Sequence, residues 1–287
     1  MIQVKQASFA YATNTPLFQD LSFVLPRGSI LAILGPNGVG KSTLLKCIVG
    51  LLPWTSGASY LDDQPIRDLP PKKRWAQIGY IPQKRSFRFD DTGLEMVVLG
   101  AANTLGPWSR PGPREYQKAK ETMESLGIAH LQNQLCSTMS GGELQMIIIA
   151  RGLVAEPDYL LLDEPEAGLD FKNQLKIVQL LHQLAHEQSL GIIYNTHHPN
   201  YALRIADQGL LLGRQRARIT GPTIGKQIPQ LEDSNMGRQP IHLYGPIQQL
   251  LTQENMQKIF GVDALLSEIH SHNKNYPVIL PLEVREE

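Results

Sequence analysis

The stretch "SILAILGPNGVGKSTLLKCIVG", residues 29–50, joins an apolar run, a glycine-rich loop and an apolar helical pattern. Its first part predicts a short buried strand, and its last part predicts a helix that begins at Lys41 and is closed by Gly50. The loop between them, residues 35–42, matches G-x-x-x-x-G-K-[ST] in the strand–loop–helix context that this pattern requires. These features predict a phosphate-binding loop at the start of an α/β domain.

Each residue type in this loop has a physical reason for its position. Glycines let consecutive backbone N–H groups turn toward phosphates, and the positive end of the helix dipole adds to the attraction. We expect Lys41 to reach the β- and γ-phosphates and the Ser42 hydroxyl to bind Mg²⁺. A purely structural turn is the alternative, and the flanking strand and helix argue against it. The predicted nucleotide-binding residues of the loop are Gly35, Asn37, Gly38, Gly40, Lys41, Ser42 and Thr43.

Strand and helix signals alternate along most of the chain, which favours a mostly parallel sheet wrapped by helices. Residues 2–34 predict short strands, and further strand patterns lie at "IGYIPQ", "YLLLDEP", "LGIIYNTH" and "QGLLLGR". Helical patterns dominate a block at about residues 85–156, which we interpret as an insertion into the sheet domain. We therefore predict one domain over residues 1–220.

Beyond about residue 220 the periodic pattern weakens. The segment "TGPTIGKQIPQLEDSNMGRQPIH" is rich in glycine, proline and polar residues and predicts a loop. One short helix follows, with Thr252 as its predicted cap and Gly261 as its predicted end. We predict a C-terminal extension over residues 221–287 that contains this one helix.

Composition and charge restrict the classes of function. Lys and Arg number 27, as do Asp and Glu, so no whole-molecule field attracts nucleic acid and we expect no nucleic-acid partner. Two cysteines argue against a disulfide scaffold and favour a reducing compartment. The N-terminus lacks a signal-peptide pattern, and no apolar run is long enough to span a bilayer. We therefore expect a cytoplasmic protein whose membrane role, if any, comes through a partner.

The run "YLLLDEP" places two carboxylates at the end of a predicted buried strand. Because such strands end at one edge of a parallel sheet, Asp163 is expected beside the phosphate loop, where it would hold the metal. Glu164 follows and would orient or deprotonate an attacking water. The alternative is that both residues only cap the next helix.

A second pair of glycines stands in "MSGGELQMIIIARG", far along the chain from the phosphate loop. Ser140, Gly141, Gly142 and Glu143 form a capping-box pattern, S-x-x-E, ahead of an apolar helix. A capping box does not require the two glycines, which would open a backbone surface for a bulky anion near a helix N-terminus. Either the chain folds both loops onto one ligand, or the second loop serves a ligand held by another copy.

Over roughly residues 1–220 the sequence resembles the nucleotide-binding subunits of ABC transporters, in which S-G-G-x is the signature motif. In that family two subunits face head to tail, and each ATP lies between one phosphate loop and the signature motif of the partner. The resemblance implies an α/β fold with a P-loop, RecA-like, mostly parallel core sheet, an N-terminal antiparallel β-subdomain, an inserted helical subdomain and a short C-terminal extension. It also implies ATP and Mg²⁺ as cofactors.

Four further residues match positions of known role in the family. Tyr11 resembles the aromatic residue that stacks on adenine, and Gln83 resembles the glutamine that contacts Mg²⁺ and relays to the membrane partner. Asp170 resembles the loop residue that crosses to the opposite subunit, and His197 resembles the histidine at the γ-phosphate. The resemblance thus implies that the catalytic residues are Glu164, His197 and Lys41. It implies that the metal-binding residues are Ser42, Gln83 and Asp163.

The sequence also departs from the usual family pattern at several positions near these motifs. None of the departures removes a phosphate-binding, metal-binding or water-activating group, so they bear on rate and on coupling between subunits. The departing residues are Met139, Met146, Glu166, Gly168, Asn195 and His198.

Three hypotheses for function follow. The first is the ATPase of a membrane importer at the cytoplasmic face of the cell membrane, with a second copy, integral permease subunits and, indirectly, a substrate-binding protein as partners. The stretch "VVLGAANTLGPWSRPGPREY" resembles the helical-domain segment of ATPases that serve iron–siderophore, haem and cobalamin importers. An importer or exporter ATPase for a different cargo is the alternative. The second is a soluble ABC-type ATPase acting on nucleic acid, ribosomes or cofactor assembly. The third is a nucleotide-gated scaffold without turnover, against which Glu164 argues.

Overall fold

The computed structural model describes residues 1–11, 15–83, 91–101, 110–216, 238–271 and 274–284. The strands in these ranges are β1 (Ile2–Ala10), β2 (Pro16–Leu25), β3 (Ile30–Leu34), β4 (Ser56–Leu61), β5 (Gln64–Pro65), β6 (Ile78–Ile81), β7 (Tyr159–Asp163), β8 (Gly191–Asn195), β9 (Gln208–Arg216), β10 (Arg238–Pro246), β11 (Val262–Ser271) and β12 (Lys274–Val284). The helices are α1 (Lys41–Ile48), α2 (Pro71–Gln77), α3 (Gly93–Ala101), α4 (Pro113–Ser125), α5 (Gly141–Leu153), α6 (Phe171–Gln188), α7 (Pro199–Ile205), α8 (Ile247–Leu250) and α9 (Gln253–Phe260).

The core sheet has the strand order β10-β9-β3-β8-β7-β6, and its strands from β9 to β6 run parallel. Every residue of β3, β7 and β8 is buried, as expected for strands covered on both faces. Because parallel strands end at the same edge, the loops after β3, β7 and β8 come together there. The predicted mostly parallel core is confirmed.

A second, antiparallel sheet with the order β2-β1-β4-β5 packs beside this core. Alternate residues of β1 and β2 point inward, and they share a cluster of buried side chains with α1 and the core sheet. The predicted N-terminal antiparallel subdomain is therefore confirmed. Strand β4 was not among the predicted strands; its first two residues are both exposed, and only the last four alternate, between half-buried and buried positions.

Helices α3, α4 and α5 form a separate layer with its own buried cluster, which includes Met96, Val97, Met123 and Ile147. They fall inside the block predicted to be helical, although residues 84–90 and 102–109 of that block lie outside the described residues. Within the described ranges, no helix has both the length and the apolar character needed to cross a membrane.

The C-terminal segment contains more than the one predicted helix. Strand β10 pairs antiparallel with β9 from Arg238 to Pro246, so the loop prediction for "RQPIH" was wrong. The loop was predicted because proline is uncommon inside strands, but β10 is an edge strand, where proline is tolerated. Helix α9 is confirmed, with the Thr252 side chain accepting a hydrogen bond from the Asn255 N–H and Gly261 left-handed at its end. A hairpin of β11 and β12 follows.

Candidate functional site

The loop between β3 and α1 needs its glycines for two different reasons. Gly35 has φ 157°, and a Cβ there would lie 2.4 Å from the carbonyl oxygen of Leu212. Gly40 has φ 110°, and its added Cβ would lie 2.7 Å from Cδ2 of Leu17. Gly38 has φ 76° but no atom within 4 Å of such a Cβ. The first two glycines are thus required by conformation and packing, and Gly38 by conformation alone.

Lys41 lies folded over this loop and is only 5% exposed. Its Nζ donates to the carbonyl oxygens of Gly35 at 2.8 Å and Pro36 at 3.3 Å, and it lies 3.3 Å from Nδ1 of His197. Burial lowers the pKa of the Lys41 ammonium, while the carboxylates of Glu164 and Asp163 oppose that shift. The loop therefore holds a cation that donates to two backbone carbonyl oxygens, which an anion would replace, and that also lies beside a histidine ring.

Glu164 is the centre of a hydrogen-bonded cluster at the end of β7. Its Oε2 accepts a hydrogen bond from Nε2 of Gln83 at 2.6 Å, and its Oε1 is in close contact with Nε2 of His197. The backbone of Glu164 is left-handed, with φ 52°, and a turn bond from the Ala167 N–H to its carbonyl holds it there. A non-glycine residue in this conformation marks a position fixed by its surroundings.

Asp163 lies one residue earlier, inside the sheet. It is 3% exposed, and its Oδ1 accepts a hydrogen bond from Nδ2 of Asn195 at 2.7 Å across the β7–β8 pair. The Asp163 carboxylate, the Ser42 hydroxyl and the Gln83 amide oxygen offer oxygen donors, which Mg²⁺ prefers. Since the Gln83 NH₂ group is engaged by Glu164, its oxygen is the atom left to bind a metal. The donor set fits Mg²⁺.

The structure brings most of the predicted nucleotide-site residues to one cavity of about 610 Å³. This volume lies in the range of small-molecule sites. Tyr11 lies at its edge; the residue is 56% exposed, and its hydroxyl lies 2.8 Å from Oγ1 of Thr43. The residues that line the cavity are Asn37, Gly38, Gly40, Lys41, Ser42, Thr43, Gln83, Glu164 and His197.

The second glycine motif forms the N-terminus of α5. The Ser140 hydroxyl donates to Oε2 of Glu143 at 2.7 Å, and the Ser140 N–H donates to the same oxygen at 2.9 Å. These bonds lower the pKa of the Glu143 carboxyl. A Cβ on Gly142 would lie 2.5 Å from Cγ of Asn173 on α6, whereas one on Gly141 would meet only Leu169, at 3.5 Å. The prediction of two open glycines therefore holds for Gly141, while Gly142 is needed for packing.

This motif does not share the cavity of the phosphate loop within one chain. Ser140, Gly142 and Glu143 line a different cavity of about 570 Å³ beside α6. Asp170 is engaged in its own chain as the cap of α6, where it accepts hydrogen bonds from the N–H and Nδ2 of Asn173. Within one chain, the phosphate loop and the second glycine motif are therefore separate.

The comparisons with known proteins agree with this site. Residues 18–167 match the family described as ABC transporter. This chain belongs to the ABC transporter family. It is an ATPase of that family, and its nucleotide is ATP.

Two relatives and two solved structures are similar to this ABC ATPase. It is 34% identical over 218 residues to the molybdate import ATP-binding protein MolC of Haemophilus influenzae, covering 76% of this chain and 81% of that protein. It is 34% identical over 224 residues to the "Probable iron chelatin transport ATP-binding protein" of Helicobacter pylori, covering 78% and 88%. The structure described as "An inward-facing conformation of a putative metal-chelate type ABC transporter" matches with TM-score 0.81 and 28% identity, covering 98% of this chain and 97% of that one. A bacterial ABC transporter cassette solved as a dimer matches with TM-score 0.64 and 30% identity, covering 74% and 94%.

Sequence reasoning missed two groups of residues that support the site. Asn195 donates a hydrogen bond to Asp163. The position of Asn195 at the end of a predicted parallel strand beside "YLLLDEP" was the signal that could have indicated this contact. Thr196 hydrogen-bonds to Glu166, a contact that no local pattern indicates. The side chains of Asn195 and Thr196 are both completely buried.

Proposed function

We propose that this ABC ATPase is the ATP-hydrolysing subunit of an importer for a metal or metal chelate. The observation that carries the proposal is the position of Glu164, which is fixed by Gln83 and His197 beside the buried ammonium of Lys41. A carboxylate so held is suited to accept a proton from water rather than to cap a helix. The names of the relatives support uptake of molybdate, iron chelatin or another metal chelate.

In the proposed reaction, a water attacks the γ-phosphorus of ATP and the bond to the β–γ bridging oxygen breaks. Glu164 accepts the proton of this water, and Lys41 stabilises the charge that develops on the phosphoryl oxygens. His197 would contact the γ-phosphate while it holds Glu164 in place. Ser42, Gln83 and Asp163 would bind Mg²⁺, which supplies positive charge against the β- and γ-phosphates.

The loop glycines and neighbouring side chains would bind the rest of the nucleotide. Backbone N–H groups at the start of α1 are available because its cap, Gly40, has no side chain to bond them. Asn37, Gly35 and Gly38 shape the loop, and Thr43 holds the Tyr11 hydroxyl. Tyr11 would then present its exposed ring to adenine.

We propose that a second copy completes each ATP site in a head-to-tail dimer. Ser140, Gly141 and Glu143 would close over the nucleotide of the partner, and Asp170 would lie at the interface between the copies. The separate position of this motif within one chain supports the proposal, because a motif with no role in its own site is explained by a role in another. The dimeric cassette among the similar structures gives a precedent.

An integral permease is the proposed membrane partner, at the cytoplasmic face of the membrane, with a substrate-binding protein engaged indirectly. A groove of about 340 Å³ lies next to Gln83, between the core sheet and the helical layer. Its lining is mainly apolar, with Leu51 and Trp75 among the apolar residues, and it includes one basic side chain, that of Arg151. Leu51 is 47% exposed, which suits a contact with a short helix of another protein.

Phosphate release from ATP and Mg²⁺ by the purified chain tests the enzymatic part. We expect Glu164→Gln to lower kcat by about 10²- to 10⁴-fold while ATP affinity stays within about twofold, because only proton transfer is removed. Glu187→Gln, on the exposed side of α6, is the matched control and should behave as the wild type. Equal rates for the wild type and Glu164→Gln would exclude Glu164 as the base.

The cargo is tested by reconstitution of the ATPase with its permease in vesicles. Uptake of iron–siderophore, haem, cobalamin and molybdate would be measured in parallel, with ATP or with no nucleotide. The proposal predicts ATP-dependent accumulation of a metal compound. Accumulation of an unrelated solute alone would contradict the metal assignment while leaving the ATPase intact.

A further inference from the structure

Glu166 lies on the turn that follows Glu164, and it is a departure from the usual family pattern. Its side chain is 2% exposed, so the carboxyl is enclosed by protein. Such a group is retained only where a partner satisfies it, because burial of an unpaired charge is unfavourable. The partner is the Thr196 hydroxyl, which donates to Oε1 of Glu166 in a short hydrogen bond.

Thr196 in turn accepts a hydrogen bond from the backbone N–H of His198 at 3.0 Å. The direction of donation runs from the His198 N–H to the Thr196 hydroxyl and on to Glu166, so one hydroxyl joins the two residues. Both residues that flank His197 are therefore fixed to Glu166. His197 itself contacts Glu164 and Lys41. Glu166 therefore links the turn after β7, which carries Glu164, to the turn after β8, which carries His197.

A second path connects the same turns through α6 and α7. The His198 ring lies with its centroid 5.0 Å from that of Tyr201, whose hydroxyl donates to Oε1 of Gln174 at 2.8 Å. Gln174 donates to the carbonyl of Leu169 at 3.0 Å, and the Leu169 N–H donates to the carbonyl of Glu166. The two paths join the same two turns, so a displacement of either turn would strain contacts in both paths.

We propose that Glu166 is a positioning residue, which through Thr196 sets the orientation of His197 relative to Glu164 and thereby the rate of ATP hydrolysis. This inference rests on the proposed function of Glu164 and His197. Glu166 does not line the nucleotide cavity, so it acts through the geometry of the two turns and not by contact with ATP.

The state of the carboxyl follows from its surroundings. Burial, opposed by the Thr196 hydrogen bond and supported by the charge of Glu164, raises the pKa of Glu166 to about 7. The other titratable groups that face it are Tyr194 and Tyr201, and burial, together with the charge of Glu166, raises the pKa of both hydroxyls. As the pH falls below about 7, the neutral form of the side chain therefore becomes the dominant one. Glutamine reproduces this neutral form and its acceptor oxygen, whereas leucine keeps only the size.

The experiment compares kcat, KM for ATP and nucleotide affinity in Glu166→Gln, Glu166→Leu, Thr196→Ser and Thr196→Val. We expect Leu and Val to lower kcat by about tenfold to a hundredfold with KM changed less than about threefold, since a small misplacement of a reacting group slows the reaction strongly. Gln and Ser, which keep the hydrogen bond, should restore kcat to within about threefold. If Glu166 and Thr196 were only structural, all four variants would change kcat through lost stability. The loss would then not depend on whether the variant keeps the acceptor oxygen at position 166 or the hydroxyl at position 196.

The pH profile gives a second readout, provided that both proteins are shown to be fully folded at each pH. The ratio of kcat in Glu166→Gln to kcat in the wild type should rise as the pH passes through about 7, because only the wild type acquires a charge beside Glu164. If Glu166→Leu does not fold, the kcat of Thr196→Val and this ratio test the proposal. A flat ratio together with unimpaired Thr196→Val would overturn the inference. Wild-type protein without ATP turnover would instead defeat the proposed function.

Discussion

Alanine at Gly38 and at Gly40 separates the two reasons for glycine in the phosphate loop. Both residues have positive φ, 76° and 110°. Only at Gly40 does the added Cβ meet other atoms, Cδ2 of Leu17 at 2.7 Å and Cζ of Phe18 at 3.0 Å. Phe18 is 3% exposed and packs in the core beneath the loop, so it has little freedom to withdraw.

The size of each effect follows from these contacts. Gly38→Ala should lower the free energy of unfolding by about 1–2 kcal/mol, the cost of a left-handed conformation for an L-residue. Gly40→Ala adds the cost of overpacking, about 1–3 kcal/mol, for a total of about 2–5 kcal/mol. Gly40→Ala is therefore the more destabilising of the matched pair, by about 1–3 kcal/mol.

Urea unfolding without nucleotide, followed by tryptophan fluorescence, measures this difference. Trp54 is a suitable reporter because its ring lies 6.4 Å from that of Phe18. We expect the midpoint of Gly40→Ala to lie about 0.5–1 M below that of Gly38→Ala at an unchanged slope. Equal midpoints, or a lower midpoint for Gly38→Ala, would refute the assignment of Gly40 to packing.

Three further predictions concern stability and local order. Because burial raises the pKa of the Glu166 carboxyl from 4.5 to about 7, the stability it contributes is complete below pH 4.5 and is lost as the pH rises to about 7. The urea stability of the wild type relative to Glu166→Gln should therefore fall by about 3 kcal/mol between these limits, and a constant difference would contradict it. Asn200→Ala removes two hydrogen bonds to the Ile279 backbone, so exchange of the Ile279 amide should accelerate about fivefold to thirtyfold, and unchanged exchange would argue against this anchor. Ser140→Ala removes the cap of α5 and should lower the free energy of unfolding by about 1 kcal/mol in urea; no loss would mean that Glu143 alone holds this helix end.

The elements that carry the site were predictable because their signals are local. The phosphate loop has a fixed spacing between an apolar strand and a helix, and β7 and β8 are runs of consecutive buried residues. Parallel pairing then brings Lys41, Glu164 and His197 to one edge without further information. This is why the motif-level predictions and the cavity agree.

What could not be predicted depends on contacts between distant segments. Strand β10 forms because β9 offers an unpaired edge, although its own prolines indicate a loop. The need for glycine at Gly142 comes from Asn173 on another helix, and the partner of Glu166 is 30 residues away. Neither relation leaves a periodic pattern in the sequence.

Mixed dimers test the shared ATP site most directly. Lys41→Ala should inactivate the phosphate loop of its own chain, and Ser140→Arg should inactivate the motif that closes over the neighbouring ATP. In a head-to-tail dimer of one chain of each kind, one site carries both lesions and the other carries none. Mixing the two inactive proteins is therefore expected to restore up to about a quarter of the wild-type ATPase rate, since half of the dimers are mixed and one of their two sites is intact. No recovery in mixtures shown to contain mixed dimers would contradict a site built from two chains.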